Sequence, residues 1–130
     1  MATKSMSYDH PAYLAPVTSS HTSVAGATTN GARFAAYTAM IAKSVTLYSL
    51  VAGTATTHGY TINKLSGTTT TSIGVTTLGT ATIGTVTNVT LGSTALAQGD
   101  TLLLTSLADA TGTVVAAYEL LVTPGASVTV

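Results

Sequence analysis

The sequence predicts an all-β fold: a single-domain antiparallel β-sandwich, jelly-roll-like, with an extended N-terminal arm. Three observations carry this. From Ser44 onward, short runs of Thr, Val, Leu and Ile recur about every ten residues between turn signals, the rhythm of a sandwich or barrel. Threonine is abundant along these runs; its branched Cβ suits a pleated strand and its hydroxyl wets an outward face without charge. The chain has 130 residues, 45% of them hydrophobic, which is enough for one domain with a real core.

Residues 1–30 read as the arm and residues 31–130 as the sandwich. The arm holds two of the three prolines, Pro11 and Pro16. Proline cannot donate to a ladder, so the stretch is not expected to form a central strand. Its apolar residues are too sparse for a core. The stretch reads either as a loose terminus, common at chain ends, or as an arm that orders on a neighbouring subunit, with Tyr8, Tyr13, Leu14 and Val17, and His10 beside them, as candidate interface residues. Asn30-Gly31 reads as a turn. Ala32 to Lys43 fits two periods: Phe34, Tyr37, Ile41 and Val45 fall at helical spacing, while Phe34, Ala36, Thr38 and Met40 alternate. Period alone does not decide a short apolar run, and a strand is the expectation.

Val45 to Val51 alternates and stops at Gly53. Tyr60 to Leu65 follows Gly59 and stops at Ser66-Gly67. Thr68 to Leu78 gives another strand and Thr80 to Leu91 one or two more. Gln98-Gly99-Asp100 is a turn, Thr101 to Thr105 a strand, and Ala108 to Gly112 a turn. Thr113 to Thr123 is a long apolar strand ending at Pro124-Gly125, and Ser127 to Val130 is a candidate edge. Within this run Ile73-Gly, Leu78-Gly and Ile83-Gly repeat with a period of five. An odd period conflicts with two-residue alternation, so bulges or short turns are expected near Gly74, Gly79 and Gly84.

Composition narrows the function classes. Charged residues make up 6% of the chain, against about a quarter in an ordinary soluble domain. Four scattered cations make no basic stripe, so nucleic acid is not an expected partner. No purely apolar stretch reaches the roughly 18 residues of a membrane helix, one Phe and no Trp provide no aromatic girdle for a membrane barrel, and no membrane partner is expected. Without cysteine there is no thiolate zinc site and no thiol nucleophile. His10, His21 and His58 have no helical pairing or carboxylate cluster, and Asp9-His10 supplies too few ligands for a metal. Neither a nucleophile elbow nor a phosphate-cradling glycine loop is present. Asp100 and Asp109 sit in turns, where Asp bonds its local backbone. Glu119, in a long apolar strand, is expected to face outward or to form an interface salt bridge with a cation such as Arg33, Lys43 or Lys64. No catalytic residue, metal or cofactor is expected, and the chain reads as a structural protein whose surface is finished by other chains.

Lys43-Ser-Val-Thr-Leu, Val51-Ala-Gly-Thr-Ala, Gly59-Tyr-Thr-Ile, Ser72-Ile-Gly, Gln98-Gly-Asp-Thr-Leu-Leu-Leu and Asp109-Ala-Thr-Gly-Thr, in this order, resemble the small structural proteins of tailed bacteriophages. The nearest likeness is to capsid decoration, or cement, proteins and head-fibre domains, over residues 33–130. The resemblance implies a jelly-roll-like sandwich, a homotrimer seated on a capsid lattice at the virion surface, and the major capsid protein as partner. A tail or fibre component, or a receptor-binding β-module, is the alternative, with an enzyme third.

Overall fold

The computed structural model describes residues 14–24, 26–107 and 111–122. Their regular structure is entirely β, in eight strands: β1 (Leu14–Ser23), β2 (Asn30–Ala35), β3 (Met40–Val51), β4 (Gly59–Ser66), β5 (Thr69–Thr77), β6 (Val86–Leu96), β7 (Thr101–Ser106) and β8 (Gly112–Val122). They form two antiparallel sheets with strand orders β1-β8-β3-β6 and β2-β7-β4-β5. The pairs β1·β8, β2·β7, β3·β6 and β4·β5 nest inside one another. A chain paired in this way is one long hairpin of hairpins wound into a sandwich, which is the jelly roll.

Alternation explains which side chains enter the core. Val114, Ala116, Tyr118 and Leu120 of β8 are buried in period two, as are Val45 and Leu47 of β3. The facing sheet contributes Ala32, Tyr60, Ile62, Leu102 and Leu104. Where period two breaks, the register shifts. Ala42 and Val45 both face inward because Lys43 is an extra residue against β8. Opposite it on β6, Gly92 and Ser93 both adopt positive φ (63° and 58°), and the Lys43 amine bonds the Ser93 hydroxyl at 2.9 Å.

A second bulge ties the sheets together. Between Gly31 and Phe34 the register of β2 against β7 slips, with Ala32 at φ 47°. The Tyr118 hydroxyl donates to the Ala32 carbonyl at 2.8 Å, from one sheet to the other. Burial also pushes the Tyr118 phenol above its ordinary pKa, which keeps it a neutral donor.

The expected glycine corners of the period-five repeat are present. β5 slips against β4 between Gly74 and Ser72, and Gly79 and Gly84 take positive φ (58° and 89°) in the turns leading to β6. Asp100 closes the β6–β7 turn, its carboxylate accepting the Ala97 N–H at 2.9 Å, with Gly99 at φ 91°.

Three expectations are corrected. The sandwich begins at Leu14 and not at residue 31: β1 pairs with β8 along all ten of its residues. An edge strand tolerates Pro16, and the strand is hard to read because its inward positions His21 and Ser23 are polar. Asn30-Gly31 is the start of β2, paired with Thr105 and Leu104, and the chain reverses at Gly26 (φ 81°) instead. Ala32 to Lys43 is extended as expected but broken between Ala35 and Met40, where Tyr37 is exposed and the Ala36 amide bonds the Asp100 carbonyl at 2.7 Å. The candidate edge at Ser127 to Val130 lies outside the described residues.

Replacing Tyr118 by Phe strands the buried Ala32 carbonyl while keeping the ring. We expect a loss of about 1–3 kcal/mol in urea unfolding with the fold retained. An unchanged midpoint would show that the hydroxyl does not tie the sheets.

Candidate functional site

Among the described residues, two histidines and several hydroxyls gather at one end of the sandwich, around Tyr60. Alternation turns His21 and Ser23 of β1 inward, His58 precedes β4, Thr29 precedes β2 and Ser106 ends β7. His58 and His21 each meet the Tyr60 ring edge-on, with centroids 5.2 and 5.7 Å away. The Ser23 hydroxyl donates to the Gly112 carbonyl at 3.1 Å. It also lies 3.2 Å from His58 Nε2, which is 3.2 Å from the Tyr60 hydroxyl, and the tautomer of the ring sets the donor at each of these two contacts. Thr29 bonds both neighbours: its hydroxyl lies 3.4 Å from His21 Nε2 and 2.8 Å from the Ser106 hydroxyl.

Glycines make room for the rings. A Cβ at Gly31 would collide with the His21 imidazole, and one at Gly53 with both the Gly79 carbonyl and the His58 imidazole. A Cβ at Gly112 would stand 2.7 Å from His58 Cε1. His58 is thus clamped between the ends of β3 and β8. Its Nδ1 is buried and has no hydrogen-bond partner among the described residues.

Ser23 and His58 have the composition of a nucleophile and its base. Ser23 is 0% exposed, however, and the Nδ1 position where an orienting carboxylate would sit faces Gly53. Among the described residues no group of three His, Asp or Glu is placed to hold a metal ion. The cluster works as a polar pin that joins the ends of both sheets. The sequence missed it because its members lie far apart along the chain; the available signal was glycine at 31, 53 and 112.

The outer faces of the sheets are the accessible surfaces. On the β2-β7-β4-β5 face an open groove of about 500 Å³ is lined by Asn30, Arg33, Leu65, Thr70, Leu103 and Thr105, among others. A relay crosses three strands there: the Asn63 amide donates to the Thr105 hydroxyl at 2.6 Å, which donates to Asn30 Oδ1 at 2.7 Å. On the other face Tyr48, Val51, Ile83 and Val86 are exposed. Glu119 points outward as expected, but the partner it bonds is the Ser44 hydroxyl (2.9 Å), in place of a cation.

Of the anchors expected from sequence, Tyr8, His10 and Tyr13 lie outside the described residues. Leu14 and Val17 belong to β1, in register with Leu121 and Tyr118. Asp109 also lies outside the described residues.

Two outcomes test the pin. Gly112→Ala puts a Cβ 2.7 Å from the His58 ring, with the nearest backbone atom 3.2 Å away, and we expect a loss of about 1–3 kcal/mol in urea unfolding, the usual range for overpacking. Burial lowers the His21 pKa below its usual 6.5, against a smaller raising effect of a Thr29 backbone hydrogen bond. The unfolded chain then binds the His21 proton more readily than the folded one. Stability is full above about pH 6.5 and falls as the pH drops through and below that value. Urea midpoints between about pH 7 and pH 5 should show this slope, and His21→Asn should flatten it.

Comparison of the chain with models of known protein families, with curated proteins and with solved structures finds no match.

Proposed function

We propose that this chain is a structural protein of a virion, binding and reinforcing the assembled capsid as a homotrimer on its outer surface, without catalysis. The observation that carries the reading is a two-sheet sandwich whose accessible faces are hydroxyl-rich and nearly uncharged. Such a surface packs closely against other chains without burying unpaired ions. The titratable cluster around Tyr60 is used up in holding the sheets together. A protein that binds only the assembled shell stabilises it by mass action, and repeated lattice contacts multiply weak interactions through multivalency. The partner in this reading is the major capsid protein, with Tyr8, His10 and Tyr13 as anchors.

The groove that holds Arg33 and the Asn30–Thr105–Asn63 relay favours a second reading, a receptor-binding β-module of a tail or fibre, because it offers convergent polar groups over an apolar floor.

Co-sedimentation with empty capsids separates the two. Decoration predicts saturable, stoichiometric binding. It also predicts that removing Met1 to Tyr13, which leaves β1 whole, weakens attachment while urea unfolding of the sandwich stays unchanged. Absence of capsid binding by the full chain would sink the decoration reading. Capsid binding that survives the deletion would remove the arm from it.

A further inference from the structure

We infer that the groove on the outer face of the β2-β7-β4-β5 sheet binds a carboxylated sugar, with the Arg33 guanidinium on its carboxylate. The inference deepens the receptor-binding reading above and rests on it for taking the groove as a binding surface. The class of ligand rests on four observations.

First, the bulge in β2 brings Arg33 to the groove. Residues an odd number of positions apart on a regular strand point to opposite faces. Asn30 and Arg33 are separated by such an odd step, yet both line the groove. The slip between Gly31 and Phe34 allows this, because Ala32 and Arg33 together stand opposite Leu103. Ala32 turns into the core at φ 47°, and Arg33 stays exposed. The left-handed region is costly for a residue with a Cβ. What the bulge achieves on the outer face is a cation beside Asn30.

Second, that cation is unpaired. Lys43 bonds Ser93, and Lys64 bonds Asp100 and the Ala95 carbonyl. Arg33 has no hydrogen bond or ion pair among the described residues. Asp100 is held by Lys64, and Glu119 bonds Ser44 on the other sheet. Asp9 and Asp109 lie outside the described residues. The described residues on either side of Asp109, Leu107 and Thr111, bond Gly59 and Thr54 at the His58 end of the sandwich. No second cation lines the groove. A single guanidinium matches a carboxylate, whose two oxygens fit its fork and whose one charge it neutralises, better than a doubly charged phosphate.

Third, the rest of the groove suits a sugar ring. Asn63 and Leu103 stand in register and face outward by alternation, yet they are only 7% and 6% exposed, so the floor is recessed. Leu65 extends this floor and offers aliphatic surface to the C–H face of a sugar. Asn30 accepts from Thr105 through Oδ1, which leaves its amide N–H groups as donors. Thr70 and Thr101 add hydroxyls that donate or accept.

Fourth, the floor admits no added strand. β7 lies between β2 and β4, and β4 between β7 and β5, so ladders fill both sides of each. A peptide finds no backbone groups to pair with there, and recognition falls to side chains. One cation is too little for a nucleic-acid backbone. A compact ligand with one charge and several hydroxyls uses what the groove offers, and its volume of about 500 Å³ is ordinary for a small-ligand cleft.

The test is an NMR titration of the full, isotope-labelled chain at low salt. The ligands are glucuronate, galacturonate and N-acetylneuraminate, with glucose and acetate as controls. We expect at least one acidic sugar to shift the Arg33, Thr101 and Leu103 amides and the Asn30 side-chain amide saturably, and to bind more tightly than either control. Arg33→Gln should weaken this binding about tenfold or more, the scale of a hydrogen bond to a charged group. Arg33→Lys, which keeps the charge and loses the fork, should weaken it too. Lys43→Gln removes the same charge from the other sheet and should leave binding unchanged. Arg33 is exposed, and an unchanged urea midpoint would show that its variants fold. No saturable shift with any acidic sugar, or binding indifferent to Arg33→Gln, overturns the proposal. Acetate bound as tightly as the acidic sugars makes the groove a general anion site and overturns the sugar. Adsorption of the chain to bacterial cells separates this inference from the reading beneath it. Adsorption that Arg33→Gln abolishes, without sugar binding, keeps the receptor reading and overturns the acidic sugar. Sugar binding without adsorption upholds the sugar site while the receptor reading fails.

Discussion

β8 lies between β1 and β3 in the middle of its sheet, and most of the molecule hangs on it. Its inward residues Val114, Ala116, Tyr118 and Leu120 are fully buried. Its first residue, Gly112, closes against the His58 ring and accepts the Ser23 hydroxyl. Farther along, Tyr118 reaches across the core to the Ala32 carbonyl. A central strand with alternating burial fixes register strongly, because a slip of one residue would turn every core side chain to solvent. Here the slip would also break both polar links between the sheets. The nested pairing of the jelly roll follows once β8 holds β1 and β3 together.

A chain with so few ions has to satisfy its polar groups in other ways. The ion pair recorded among the described residues, Lys64 with Asp100 at 3.4 Å, sits beside a turn that backbone bonds already close. Backbone and side-chain donors, foremost the Ala97 N–H, hold the Asp100 carboxyl below the usual carboxylate range, with Lys64 a lesser cause. Elsewhere hydroxyls and amides take over. Thr22 meets Thr113 at 3.0 Å across β1 and β8, and Asn88 donates to Thr46 at 2.9 Å across β3 and β6. These neutral contacts are indifferent to salt, whereas exposed ion pairs are screened. A surface knitted in this way can be brought against another protein without first stripping water from charges. That physical property links the composition to the structural role proposed for the chain.

The two outer faces differ in character. One carries a groove with Arg33 and an amide–hydroxyl relay, the other an uncharged ridge of Tyr48, Ile83 and Val86. The residues of catalytic type, Ser23, His21 and His58, are enclosed at the end of the sandwich between both sheets. The fold thus spends these three side chains on cohesion.

By itself the sequence determined the β class, the positions of most strands from Val45 to Glu119, and the glycine corners at 74, 79 and 84. These follow from local rules: period-two burial, β-branched side chains and the freedom of glycine at positive φ. It also determined how little ionic chemistry the chain has available. Tertiary structure decided what local rules cannot reach. β1 is a strand only because β8 lies beside it, and its polar inward residues make sense only opposite His58 and Tyr60. Asn30-Gly31 has the local signature of a turn, but the His21 ring packed against Gly31 and the β7 ladder hold it extended. Ile83 carries the same local motif as Ile73 and Leu78, yet only the winding of the sheets leaves it outside the core. In each case the deciding contact lies between strands distant in sequence, and its energy comes from burial and pairing that no local window contains.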